Sequence, residues 1–181
     1  MSFIAIDFEA SCLPQVGRSF PIEVGIAAPD GWSRAWLIRP HANWAGWQWS
    51  DDAQALHGLT LERLHDEGMD APDVAACLRE AVGGRMVVAD SVLDDYWSRT
   101  LFEAAGEPAH LPVTSLGALP RFHAVDQDRI DAAVASADRN RANRHRAADD
   151  ARWLASLIAD LGIFAAGNDA RPALSGERLV A

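Results

Sequence analysis

Ser2-Phe3-Ile4-Ala5-Ile6-Asp7-Phe8-Glu9 reads as a β-strand: Ile4, Ile6 and Phe8 alternate with Phe3, Ala5, Asp7 and Glu9. Working outward, residues 21–28 and 31–38 are two further apolar stretches, and Pro29-Asp30-Gly31 between them is a turn signal. Together these predict a hairpin, so the chain starts with three strands and an antiparallel pairing. The Trp-rich segment Trp44 to Trp49 has no period and reads as a loop over the core. Ser50 is placed to cap a helix that stops at Gly58, Thr60 one that ends near Gly68, and Asp70 one that runs to Gly83-Gly84. In the last of these Val74, Cys77, Leu78 and Ala81 share a face. Met86 to Ala89 predicts a buried strand, Leu93 to Ala105 a helix, and Pro112 to Leu116 a fifth strand. Helices are expected over about Asp126–Asp138 and from His145 to Leu161. This order predicts an α/β fold: a mixed β-sheet with antiparallel N-terminal strands and helices on both faces.

The 181 residues suit one domain, with a core over about 2–162 and a polar tail at 164–181. No apolar run approaches the roughly 18–20 residues of a membrane span. The N-terminus reads as a strand and not as a signal peptide, so a cytoplasmic location is expected. Cys12 and Cys77 match no zinc spacing and make no disulfide framework; both are expected to be reduced, Cys77 in the core and Cys12 near the site described next. A net charge of −10 argues against tight nonspecific binding to long duplexes, which requires many neutralised phosphates. It does not argue against a carboxylate-rich metal site, whose charge bound cations offset. All 16 basic residues are Arg.

Three segments carry candidate chemistry. In Asp7-Phe8-Glu9 the two carboxylates lie on one face of a strand, roughly 6–7 Å apart, close enough to grip one metal centre. Charged groups on so apolar a strand need partners, and cations supply them. A strand end emerging into solvent would read the same way. In Leu93-Asp94-Asp95-Tyr96-Trp97, Asp94 borders the apolar face through Trp97 and Leu101, whereas Asp95 has Ser98 and Arg99 as neighbours. Asp94 is the chosen ligand, with Asp95 the alternative. In His145-Arg146-Ala147-Ala148-Asp149-Asp150, Asp150 borders the stripe Ala147, Ala151, Leu154 and Ile158, and Asp149 is placed on a wetter face. Ordinary helix N-terminal acids are the plainer reading of the last two segments.

Taken together, the segments resemble the DEDDh family of 3′–5′ exonucleases, which includes polymerase III proofreading subunits, RNase T and oligoribonucleases. Asp7-Phe8-Glu9 resembles the first motif, D-x-E. Asp94 with Trp97 resembles the second. His145 through Asp150 resembles the third, H-x-A-x-x-D. His57-Gly58-Leu59-Thr60 resembles an H-G-I-T/S segment, and Ile22-Glu23-Val24-Gly25 the second strand. The chain departs from the pattern at Ala10-Ser11, where the family often has Thr, and at Ala89-Asp90, where it often has His-Asn.

The resemblance implies an RNase H-like fold and a metal-dependent 3′–5′ exonuclease that releases nucleoside 5′-monophosphates. It implies two ions, Mg²⁺ or Mn²⁺, held by Asp7, Glu9, Asp94 and Asp150, with Asp7 bridging them. His145 is implied as general base, and a histidine suits that task near neutral pH. Phe8, Ser11, His57, Leu59 and Arg144 are the candidate substrate contacts. Arg139, Arg141, Arg144, Arg146 and Arg152 form either a positive rim that guides phosphates or a solvated charged loop. Single-stranded nucleic acid is the expected partner. DNA or RNA stays open, as does a homodimer. Two other classes are weighed: a catalytically silent nuclease-fold binder, and a metal-dependent phosphohydrolase acting on small phosphoesters.

Overall fold

The alternation in the first strand separates two cores. In the computed structural model, which describes residues 2–164, β1 (Phe3–Ala10) directs Ile4, Ile6 and Phe8 into one apolar cluster and Phe3 and Ala5 into another. Beside it lie β2 (Pro21–Ala27), antiparallel to it, and β3 (Ser33–Leu37), antiparallel to β2; on its other side lie β4 (Met86–Ala89), parallel to it, and β5 (Thr114–Ser115), parallel to β4. The mixed sheet has the order β3-β2-β1-β4-β5. Between two neighbours and beneath two layers, β2 is buried at every position. The expected tail lies outside the described residues beyond 164.

Between β3 and β4 run α1 (Asp51–His57), α2 (Leu61–Glu67) and α3 (Ala71–Val82). Ser50 caps α1 by accepting from Ala53 N at 3.3 Å, and Thr60 caps α2 by accepting from Arg63 N at 3.2 Å. Asp70 makes no side-chain cap bond to α3; its carboxylate pairs with Arg39 at 2.7 Å. Val74, Leu78 and Val82 of α3 fill the first cluster with Trp97 and Leu101 of α4 (Leu93–Ala104). The Trp segment closes over one end of it, where the buried Trp44 stacks on Phe20 with ring centroids 5.4 Å apart.

The opposite face is covered by α6 (Gln127–Arg139) and α7 (Ala147–Leu161), with Ala133, Ala151, Leu154 and Ile158 against Phe3, Ala5 and Val88. A short α5 (Pro120–His123) precedes them and has no counterpart in the sequence reading, because four residues leave no period to detect. The fifth strand is only two residues long, since a 3₁₀ turn takes over at Leu116. α7 begins two residues later than expected: His145 has φ 59°, the one positive φ at a non-glycine residue among those described, and this left-handed residue stands outside the helix. Gly25 sets the depth of α7. A Cβ on it would stand 2.2 Å from the Ala147 carbonyl carbon, so only a residue without a side chain lets the helix start directly on β2. Among the described residues no helix is long and apolar enough to cross a membrane.

Candidate active site

Period-2 geometry carries the Phe3 and Ala5 face of β1 onward to Asp7 and Glu9, where α7 starts. The helix brings Asp150, and the turn before it brings His145. Ligand atoms of Glu9, His145 and Asp150 all lie within 4.8 Å of one another. Asp94 approaches from the first turn of α4: it is 2% exposed, and its Oδ1 accepts from Phe8 N at 3.1 Å. Asp95 turns outward, where it accepts from Arg99 at 2.9 Å and Val113 N at 3.1 Å and meets His110. These contacts hold its carboxyl below the ordinary range against the cost of partial burial. A cleft of about 330 Å³ opens over the group, lined by Asp7, Glu9, Asp90, His145 and Asp150 and bounded by Leu13 and Leu56.

Electrostatics set this cleft apart. Burial, then Asp94, Glu9, Asp150 and Asp90, push Asp7 well above the usual carboxylate range. Burial, Asp150 and Glu23 push Glu9 up to about 8, against Arg146. Burial and Asp90 push Asp94 up to about 8, against the backbone N–H bonds it accepts. Asp90 is itself raised by burial and by Asp150. The Oδ2 of Asp7 is buried without a hydrogen-bond partner. An unpartnered carboxylate oxygen among like charges is costly, and a divalent cation removes that cost. The residues therefore fit the implied ions, since carboxylate oxygens suit hard cations such as Mg²⁺ or Mn²⁺.

Glu9 and Asp94 rise from ordinary values of 4.5 and 3.8, so in the cation-free fold they bind protons more tightly than in the unfolded chain. Their stabilising contribution is complete below about pH 4 and is lost as pH rises to about 8. The melting temperature with a chelator present should fall by several degrees between about pH 5 and pH 8. Mg²⁺ should restore it at the upper pH and change little at the lower. A cation effect of equal size at both ends would contradict this account.

The substrate candidates divide. His57 lines the cleft and is 5% exposed; its Nδ1 accepts from Leu59 N at 3.0 Å, and its Nε2 has no partner. Burial lowers its pKa to about 4, so the ring is neutral, with a buried, unpartnered Nε2–H beside the cleft. Phe8 lines the cleft wall but is 5% exposed. Ser11 and Leu59 are fully buried and are not among the cleft-lining residues; the Ser11 hydroxyl accepts from Phe20 N at 3.1 Å. Arg144 is exposed. In the arginine group Arg141 pairs with Asp150, Arg146 with Glu23 and Arg152 with Asp149, so three of the five are committed to carboxylates. Asp149 corrects the helical-face reading: it is buried, held by Arg152 and by Asn143 at 2.9 Å, and it faces away from the cleft toward the β2–β3 turn. Cys12, as expected, lines the cleft. Sequence reasoning missed Asp90, Leu13 and Leu56 as residues of the cleft. Asp90 had a signal, since it follows the C-terminal end of a strand parallel to β1, where sites gather in α/β sheets.

The sequence matches no family model and no curated protein, whereas the fold is found among solved structures. A 3′-exonuclease solved for its 3′-end-specific recognition of a histone mRNA stem-loop superposes with a TM-score of 0.66 at 17% identity, over 89% of this chain and 63% of that one. E. coli exonuclease I with a dT13 oligonucleotide gives 0.62 at 15% identity, over 89% and 40%. The zinc-bound complex of the same enzyme with single-stranded DNA gives 0.63 at 14%, over 91% and 41%. The architecture is thus the RNase H-like α/β fold of 3′-exonucleases. The chain spans less than two thirds of these proteins' length.

Proposed function

We propose that the protein is a divalent-cation-dependent 3′–5′ exonuclease acting on single-stranded DNA or RNA ends. The observation that carries this is the gathering of Asp7, Glu9 and Asp150 at one cleft, with Asp94 buried behind them against Phe8 N and the Oδ2 of Asp7 unpartnered, on a fold shared with 3′-exonucleases. Asp7, Glu9, Asp94 and Asp150 would hold two ions, which when bound neutralise charge at the phosphate and favour ionisation of the attacking water. His145, at the cleft wall beside Glu9 and Asp150, takes the proton from that water at a ring nitrogen. The neutral His57 Nε2–H donates to the bound nucleotide. Leu13 and Leu56, 55% and 61% exposed, offer apolar surface to the terminal base in place of the buried Phe8 and Leu59. A cleft this small admits a frayed end and not a duplex, whose opening costs about 0.6–2.2 kcal/mol per base-pair step.

End-labelled oligomers test the reading. A label at the 3′ terminus should leave first as a nucleoside 5′-monophosphate, a closed circular strand should stay intact, and a chelator should stop the reaction. Early release of a 5′ label, or cutting of the circle, would overturn the polarity. Hydrolysis of small phosphoesters alone would replace the proposal with a different phosphohydrolase.

A further inference from the structure

Glu23 stands on β2, 3% exposed, in register with Glu9 on β1. A carboxylate buried beside another carboxylate needs a reason to be there. Its partners supply one. Arg146 grips it with both arms of its guanidinium, Nη2 to Oε1 at 2.6 Å and Nε to Oε2 at 3.1 Å, and Ala147 N donates to Oε2 at 3.1 Å. Arg146 is the N-cap residue of α7 but makes no side-chain cap bond to its own helix. The helix N-terminus is therefore capped from the neighbouring strand, by a residue 124 positions away in sequence. His145 is the residue immediately before Arg146. Its backbone is left-handed, a conformation that non-glycine residues avoid unless their surroundings impose it. Its own N–H donates to Asp150 Oδ2 at 3.0 Å. The turn is thus fastened at one side to a candidate metal ligand and at the other to Glu23.

Building on the exonuclease reading above, we infer that Glu23 is a positioning residue: through Arg146 and Ala147 it straps the turn that presents the His145 imidazole to the cleft. The guanidinium also balances the Glu23 charge next to Glu9, so the pair holds the turn without adding net charge to the metal site. A fork-to-fork pair fixes direction as well as distance, which a lysine cannot do. Gly25, two residues along the same strand, removes the side chain that would otherwise lift Ala147 away from Glu23.

The test is a double-mutant cycle with a spectroscopic arm. Glu23→Gln should lower kcat about 10- to 100-fold, within the range a general base contributes, and leave KM and Mn²⁺ affinity within about threefold of wild type. In a His145→Ala background the same change should cost almost nothing, because the group it positions is gone. Independent losses that multiply would overturn the assignment and leave Glu23 as a fold residue. Arg146→Lys, which keeps the charge and loses the fork, carries the same expectations should Glu23→Gln fail to fold. The spectroscopic arm stands apart from turnover: the His145 ring signal in a ¹H–¹⁵N spectrum, assigned by its loss in His145→Ala, should shift and broaden in either strap variant. An unchanged ring signal would sink the inference even in an active enzyme. Wild-type protein that releases no mononucleotide would sink the exonuclease reading and leave the strap to be decided by the ring signal.

Discussion

Asp7→Ala is expected to abolish mononucleotide release, lowering turnover by about three orders of magnitude or more, while the protein stays folded. Asp7 occupies the centre of the carboxylate group: Asp94, Glu9, Asp150 and Asp90 all raise its pKa, after burial. On the proposed reading, the residue surrounded by the other acids of the site would be the one to hold the ions. Loss of a metal costs several kcal/mol of transition-state stabilisation, and each 1.36 kcal/mol is tenfold in rate. The same crowding predicts the stability effect. Removing a buried charge that repels its neighbours relieves the cation-free fold, so Asp7→Asn, which keeps the volume, should melt no lower than wild type with a chelator present at about pH 8. Calorimetry beside the release assay separates the two effects. Turnover near wild type in Asp7→Ala would end the metal-ion mechanism, whatever the fold.

How much of this could be read in the sequence differs from residue to residue, for physical reasons. Alternation along residues 3–9 placed Asp7 and Glu9 on one face, because a strand's side-chain period is fixed by its backbone. The side of α4 that carries Asp94 was equally legible, since Trp97 and Leu101 mark the buried stripe. Asp149 was not. Its partners Asn143 and Arg152 belong to a turn and to its own helix, and two ordinary polar contacts let an acid be buried on a side that composition marks as wet. The start of α7 was hidden for a related reason. No Ser, Thr, Asp or Asn stands at its N-cap, and the group that replaces one, Glu23, comes from a strand more than a hundred residues earlier. The arginine group divides: Arg141 and Arg146 are answered by carboxylates that the fold brings near, whereas Arg152 pairs with Asp149 one turn earlier on its own helix.

His145→Ala should slow release by about 10²–10⁴-fold, the usual worth of a positioned general base, and leave cation binding nearly intact. The geometry makes this a demanding prediction. The imidazole stands within 4.8 Å of the Glu9 and Asp150 oxygens, close enough to serve as a ligand as well as a base. The two roles leave different traces. A ligand's removal weakens Mn²⁺ binding and is partly rescued by raising the cation concentration. A base's removal leaves Mn²⁺ titration unchanged and resists that rescue. The backbone favours the base. His145 N, not the ring, donates to Asp150 Oδ2 at 3.0 Å, so the main chain holds the acid and the ring stays available for the proposed proton transfer. The left-handed turn then has a purpose: it sends the main chain toward α7 and the side chain toward the cleft, which a helical residue at the same position could not do together. His145→Asn, with a side chain that tolerates this backbone but cannot accept a proton, should be as slow as the alanine variant. Near-normal turnover in His145→Asn would show that the site needs the turn and not the imidazole, and would remove His145 from the mechanism.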